Sequence, residues 1–567
     1  MREGGRVAVA RWGVAYGALA AALLITTLAH SYFIRPYAPP VTNDEGYIAA
    51  MALRMVHGHW LPYVDGVSQR GPLLYWLGAL VMRVGGLYSW TPLRVLSLGL
   101  ALGNTAFLFL LGVELLSPFA AGIAVLVQTY FLTFELEPSD GLAYNGEVLG
   151  VQFVLISALL VARCQTRAAS PPNKDGHRRR AWSLAAAGVL AACAGLSKQV
   201  TLVHLGPSLL WLVLGPRHVS EAVGEVTPAS RPRRWVDVGV YLGGFFVPFG
   251  LVLAVYAAAG HLRELVYYYQ RYGREIFMAP LTREVMKAKL REQLDLHLLV
   301  VMTVGLITLL AVARAWRALL ATTSAGWGTR LRANAPCLFL LSQFVVALLG
   351  ASFTWRFFPH YFVQVFPFLG LLAAYALSEP FEGTGAELTT KAVGGAVVVA
   401  GAAVLLGLTS GALHHRVVTL GKRGQWARDP RTDPMVRYVA ETTEPSDTIF
   451  VWGFRADLHV SAHRDPASRY VYSVYPAGVV PWFHATREEE ESRVVPGSRE
   501  RLLVDLEASK PELIVDAGRT MDGRYMFSIP ILRDYLDKEY CFVRHIDGEP
   551  IYRRRHEADC PPPDALQ

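Results

Sequence analysis

The sequence predicts a polytopic α-helical membrane protein of about eleven transmembrane helices with a C-terminal α/β soluble domain. Three observations predict it. The 567 residues are 53% hydrophobic, with a mean hydropathy of +0.30, and yet 18% charged, which is too apolar for an ordinary soluble enzyme and too charged for a bare membrane bundle. Apolar runs near the length of a bilayer span recur from residue 13 to residue 412. The last stretch, of roughly 150 residues, loses that pattern and has the length of one compact domain.

The first apolar run, "GVAYGALAAALLITTLAHSYFI" at 13–34, exceeds the ~7 to 15 residues of a signal-peptide core and reads as a retained first helix. Further runs fall near 93–113, 118–134, 147–162, 182–197, 200–215, 237–259, 296–313, 336–352, 361–377 and 391–412. Basic segments between them set the orientation. The N-terminus carries Arg2, Arg6 and Arg11, and "RCQTRAASPPNKDGHRRR" at 163–180 holds six Lys/Arg against one Asp. With eleven spans these segments all fall on the cytoplasmic side. Residues 35–91, "ELEPSDGLAYN", 260–294, "FTWRFFPH" and the tail after 412 then face outward.

The net charge of +8 and pI near 9.1 come largely from these short segments and from the C-terminal region. That placement favours membrane topology over nucleic-acid binding. The five cysteines show no CxxC pairing and no zinc-type spacing. Cys541 and Cys560 are the two on the outer side, where a disulfide can persist.

The chain therefore divides into a membrane domain, 1–412, with an outer loop at 35–91, and an outer domain, 413–567. In the latter, "DTIFVWGF" and "PELIVDAG" read as buried strands and "RERLLVDLEASK" as the helix leading into the second; "YCFVRHIDGEPIYRRR" reads as a hairpin around Asp-Gly. No P-loop or Gly-rich dinucleotide fingerprint occurs in a strand-turn-helix setting, so a soluble nucleotide site is improbable.

The stretch "VTNDEGYIAAMALRMVHGHW" at 41–60 places Asp44 and Glu45 on the outer side, just after the first span. Thr42 with Glu45 makes a capping box, and Asp44 sits in the favourable first turn. Ile48, Met51, Ala52 and Met55 share one apolar face, so an amphipathic helix on the membrane surface is expected. No local partner requires an acid at Asp44. Downstream, "YVDGVSQRGPLLYWLGALV" brings Arg70 to the start of an aromatic, apolar helix, where snorkelling to headgroups is the competing role.

From Asp44 to Leu80 the order "DEGYIAAMALRMVHGHWLPYVDGVSQRGPLLYWLGAL" resembles the first outer loop of the C-type (GT-C) glycosyltransferase superfamily. The similarity is to the branch of dolichyl-phosphate-mannose protein mannosyltransferases and aminoarabinose lipid A transferases, in bacterial glycosyltransferase-39-like form. "LAYNGEVLGVQF", "AACAGLSKQVTL" and "TWRFFPHYFVQVFPFLGLLAAYAL" follow in the order expected of bacterial members. The usual Lys-Pro-Pro is Arg-Gly-Pro at 70–72, which keeps the charge but changes the turn.

The resemblance implies a GT-C fold in a bacterial inner membrane, with the C-terminal domain extracytoplasmic. It implies transfer of a hexosyl or pentosyl group from a polyprenyl-phosphate-linked sugar to a lipid, glycan or protein acceptor, by inverting displacement. Asp44, with Glu45 beside it, would be the catalytic carboxylate that takes the proton of the attacking hydroxyl. Arg70, Lys198, Arg356 and His360 would bind the donor phosphate, whose charge grows as the bond breaks. Tyr47, Asn145 and Glu147 would position substrate.

Each has a plainer role beside it: a helix-turn lysine for Lys198, an interfacial anchor for Arg356 and His360, a helix cap for Asn145. The tyrosines of "LRELVYYYQRYGREIF" are expected at headgroup level. A divalent cation stays open, since Asp44, Glu45 and Glu147 could supply oxygen ligands only if the fold brings them together. Two other classes remain: a transporter or flippase of a lipid-linked or anionic substrate, and a non-enzymatic envelope-assembly protein.

Overall fold

A computed structural model describes residues 2–34, 43–136, 138–166, 174–214, 232–277, 282–296, 298–321, 334–378, 432–481, 483 and 485–556. Ten of the eleven expected apolar runs fall on described helices. The eleventh, 391–412, lies outside the described residues, as do Thr42, Cys560 and the boundary at 412/413. Among the described residues seven helices are long and apolar enough to cross a membrane, and Pro72–Gly85, Gln199–Leu214 and Phe366–Ser378 are shorter apolar helices. The protein is a multi-pass membrane protein.

Helices α1 (Arg2–Ile34), α2 (Asn43–Val56), α3 (Pro72–Gly85), α4 (Thr91–Leu115) and α5 (Pro118–Tyr130) open the chain. Pro at the first helical positions of α3 and α5 presets φ for the helix where an N–H is dispensable, and the Ser117 hydroxyl caps α5 by accepting from Ala120 N. In the bundle, α1 and α4 pack on α5, Gly146–Thr166 lies between α4 and Lys174–Ser197, and Phe366–Ser378 packs on α5 and Ala335–Ser352. Their apolar faces form one core, from Ala15 through Leu108 and Leu155 to Phe368.

The C-terminal region holds a five-stranded sheet in the order β2-β1-β3-β5-β4. Its strands are β1 (Thr448–Gly453), β2 (Asp465–Pro466), β3 (Leu513–Ala517), β4 (Tyr540–Ile546) and β5 (Glu549–Arg554). β1 runs parallel to β2 and β3, whereas β5 is antiparallel to both β3 and β4. β1 and β3 are almost continuously buried, which is why they read as unbroken apolar runs. The helix Ser498–Ser509 leads into β3 as expected. The β4–β5 turn places Asp547 and Gly548 at φ 53° and 82°, the left-handed pair that a tight hairpin favours. Cys541, in β4, is held in a disulfide.

The surface helix expected over 41–60 is not what forms. Eleven of the fourteen residues of α2 are buried, because α3 covers one side and the helix Asp457–Ser461 another. A Cβ at Gly46 would lie 2.8 Å from the Asp457 nitrogen, so the two backbones meet there. Arg54 fastens the far end of α2, donating to the carbonyls of Asp65 and Pro466 at 2.8 Å each. An apolar stripe was legible in the sequence, but not that the residues opposite it, Ala49, Ala50 and Leu53, would be buried as well.

The expected interfacial tyrosines are also turned inward. Tyr268 and Tyr272 are buried and pack against Tyr475, and Tyr269 donates from its hydroxyl to the Gly195 carbonyl. This segment carries two π-helical stretches, Tyr267–Arg271 and Gly273–Phe277, a rare geometry that recurs at functional sites. A single hydrophobic core runs from Ile48 and Leu74 through Tyr268 to Phe450 and Trp452. Among the described residues, the first loop from 43 onward and the C-terminal region thus share one core.

Candidate active site

A cavity of about 1010 Å³ opens between the helical bundle and the C-terminal region. The start of α2, residues 68–70, the loop around Asp140, Lys198–Val200, the π-helical segment and the stretch Phe353–Tyr361 contribute walls. Phe454, Tyr472, Tyr475 and Pro481 close it from the C-terminal side.

Asp44, in the first turn of α2, is bonded to the Arg70 guanidinium. Burial alone would raise its pKa, but the charges of Arg70 and His360 outweigh burial and hold the carboxyl at about 2. Arg70 itself lies over the Tyr47 ring, 5.3 Å from its centroid. Tyr47 is fixed in turn, its hydroxyl donating to the Val67 carbonyl at 2.6 Å and its ring stacked on Tyr472 at 4.2 Å.

The Arg-Gly-Pro sequence has a structural reason. A Cβ at Gly71 would stand 2.0 Å from the Leu196 carbonyl oxygen, so the backbone passes where only glycine fits. The contact sets the segment bearing Arg70 against the end of Lys174–Ser197, next to Lys198. Lys198 pairs with Glu147 at 2.7 Å and lies 4.7 Å from the Tyr361 ring centroid.

His360 joins two acids. Its Nδ1 is 3.0 Å from Asp140 Oδ1 and its Nε2 is 3.9 Å from Asp44 Oδ2. The strap before it is strained, with Trp355 and Phe357 at φ 52° and 50°, a region that costs a bulky residue about 1–2 kcal/mol. Arg356, between them, is not among the lining residues; its guanidinium lies 5.6 Å from the Phe483 ring centroid and donates to the Pro481 carbonyl at 3.4 Å.

The two adjacent acids of the first loop differ. Glu45 is buried, and its two oxygens accept from Arg94 Nε at 2.7 Å and Nη2 at 3.0 Å. Asn145 caps Gly146–Thr166, its Oδ1 accepting from Val148 N at 2.8 Å. Among the described residues no group of three His, Cys, Asp or Glu side chains could hold a metal ion; Asp44, Glu45 and Glu147, weighed as oxygen ligands, each pair with a different cation.

Asp140, Arg271, Arg274, Gln69 and Tyr472 line the same cavity and were missed in the sequence. Asp140 alone had a local signal, an acid in a short loop between two apolar runs. The others come from segments that only the tertiary fold brings together.

No protein-family model matches the sequence, and comparison with curated proteins finds no match. Solved structures do match along nearly the whole chain. ArnT from Cupriavidus metallidurans bound to undecaprenyl phosphate aligns with a TM-score of 0.51 at 15% identity, covering 97% of this chain and 99% of that one. Archaeal oligosaccharyltransferase AglB from Archaeoglobus fulgidus, in complex with an inhibitory peptide and a dolichol-phosphate, aligns with a TM-score of 0.53 at 13% identity, covering 97% and 75%. The chain thus has the GT-C fold that its first loop resembles.

Proposed function

We propose that the protein is a membrane glycosyltransferase that moves a sugar from a polyprenyl-phosphate donor to a hydroxyl-bearing lipid, glycan or protein acceptor. The observation that carries this reading is one cavity in which an ionised carboxylate, Asp44, stands among Arg70, Lys198 and His360. Two proteins of the same fold hold undecaprenyl phosphate and dolichol-phosphate, and a lipid phosphate suits these cations.

In the proposed step the acceptor oxygen attacks the anomeric carbon while the bond from that carbon to the phosphate oxygen breaks. Asp44 takes the acceptor proton, and the bonding pair leaves on the lipid phosphate. Arg70 and Lys198, with Arg271 and Arg274 across the cavity, receive that growing charge, a contribution of several kcal/mol in comparable sites. Glu45 holds α2 to α4 through Arg94, and Asn145 holds the Asp140 loop; both support the site from behind. Arg356 fastens the strap that carries His360.

The bias of the basic segments supports a reading in which the N-terminus lies on the cytoplasmic face of a bacterial inner membrane and the C-terminal region on the outer face. A reporter fused after Gln567 should be active only outside the cytoplasm, and cytoplasmic activity would reverse the catalytic face. The function is tested by purified full-length protein in nanodiscs with a labelled polyprenyl-phosphate sugar. Sugar transfer, or slow hydrolysis without acceptor, is expected. Passage of the intact lipid-linked sugar across a sealed vesicle, with no bond broken, would instead establish a transporter.

A further inference from the structure

We propose that the sugar on the donor is uncharged, a neutral hydroxyl-rich or N-acylated sugar rather than an amino sugar bearing a free ammonium. This rests on reading the cavity as a donor site.

Three carboxylates line the cavity, and each is already engaged: Asp44 by Arg70, Glu45 by Arg94 and Asp140 by His360. Glu147, just behind the wall, is held by Lys198. Among the described residues, then, every acid at or beside the wall has a basic partner. On the same wall Arg271 and Arg274 share the single carboxylate of Glu275, a local excess of positive charge that suits a phosphate group and repels an ammonium placed beside it. A charge taken from water needs a matched, hydrogen-bonded partner or it disfavours binding.

Besides charge, the wall offers neutral polar and aromatic groups. Gln69 and Gln270 line it with amides, groups that both donate and accept and so match sugar hydroxyls. Tyr472 and Phe454, edge to face at 5.1 Å, add aromatic surface from the C-terminal region. Such a wall recognises hydroxyls and ring faces.

The test compares three undecaprenyl-phosphate donors that differ at one ring position, carrying glucose, glucosamine or N-acetylglucosamine, by competition binding to the full-length protein in nanodiscs. At pH 7 the two uncharged donors should bind up to about 10-fold more tightly than the amine, a gap of ~1.4 kcal/mol. Sugar amines titrate near the α-amino range, roughly 8, so the gap should close by pH 9.5. Gln270→Glu, which adds a carboxylate at an exposed part of the wall, should narrow the gap at pH 7 about 3-fold, the size of one partly exposed pair.

Equal binding of the amine at pH 7, a gap unchanged at pH 9.5, or tighter binding of a glucuronate-bearing donor overturns the inference and leaves the donor site standing. Failure of undecaprenyl phosphate itself to compete with any donor removes the donor site, and the inference with it.

Discussion

The Arg70 guanidinium grips the Asp44 carboxylate from 26 residues further along the chain. The contact keeps Asp44 ionised, but a base at about 2 is a poor match for a hydroxyl proton at neutral pH. In the proposed reaction a donor phosphate arriving at Arg70 would share the guanidinium and raise the basicity of Asp44 as the substrate binds. Because the pKa is lowered, Asp44 stays ionised until the pH falls to about 2, so kcat/KM for donor should show no acid limb from this group between roughly pH 4 and 8. In Arg70→Gln the largest opposing charge is gone while burial remains. An acid limb should then appear near pH 5 or above; a profile as flat as that of the unaltered protein would show that Arg70 does not set the Asp44 pKa.

The neighbouring acids should separate cleanly. Asp44→Asn keeps size but takes no proton, so single-turnover transfer should fall ~100-fold or more. Donor affinity should hold or rise, because Arg70 is released. Glu45→Gln should instead appear in stability. It leaves Arg94 buried against a neutral amide, a loss on the order of 3–5 kcal/mol when one partner of a buried pair is removed. Thermal melts and single-turnover assays on both variants decide it: loss of transfer in a normally stable Glu45→Gln protein would assign the chemistry to Glu45.

Gly71→Ala tests how Arg70 is placed. Its Cβ would press on the Leu196 carbonyl at 2.0 Å, a backbone contact that cannot rotate away. Overpacking of this kind costs typically about 1–3 kcal/mol, and the displaced segment should carry Arg70 away from Asp44. Donor affinity and transfer should therefore fall together. An unchanged donor affinity would mean that Arg70 finds its place by another route.

What was legible in the sequence follows from how local each signal is. β1, β3 and the Asp547-Gly548 turn read correctly because continuous burial and a two-residue hairpin are written in neighbouring residues. Asp44 and Arg70 stood out because neither had a sufficient local partner. Glu45 shows the opposite case: Thr42, three residues away, offered a sufficient local role, while Arg94 stands 49 residues away. Tyr47 was marked only by the family resemblance, since its stacking partner Tyr472 comes from the distant C-terminal region. Arg271 and Arg274 sat in a segment whose tyrosines suggested a membrane interface, and only the fold turns that segment into a cavity wall.

The remaining prediction concerns the chain Asp140, His360, Asp44. His360 Nδ1 at 3.0 Å from Asp140 can only be a donor, since the carboxylate accepts, so Asp140 fixes which ring nitrogen carries the proton. Nε2 then faces Asp44 at 3.9 Å. If the three act as one unit, Asp140→Asn and His360→Gln should not be additive. A double-mutant cycle on donor affinity and on single-turnover transfer should give a coupling of about 0.5–3 kcal/mol, with the Asp140→Asn defect nearly absent once His360 is replaced. Two independent, additive losses would mean that Asp140 acts on the substrate directly, without working through the imidazole.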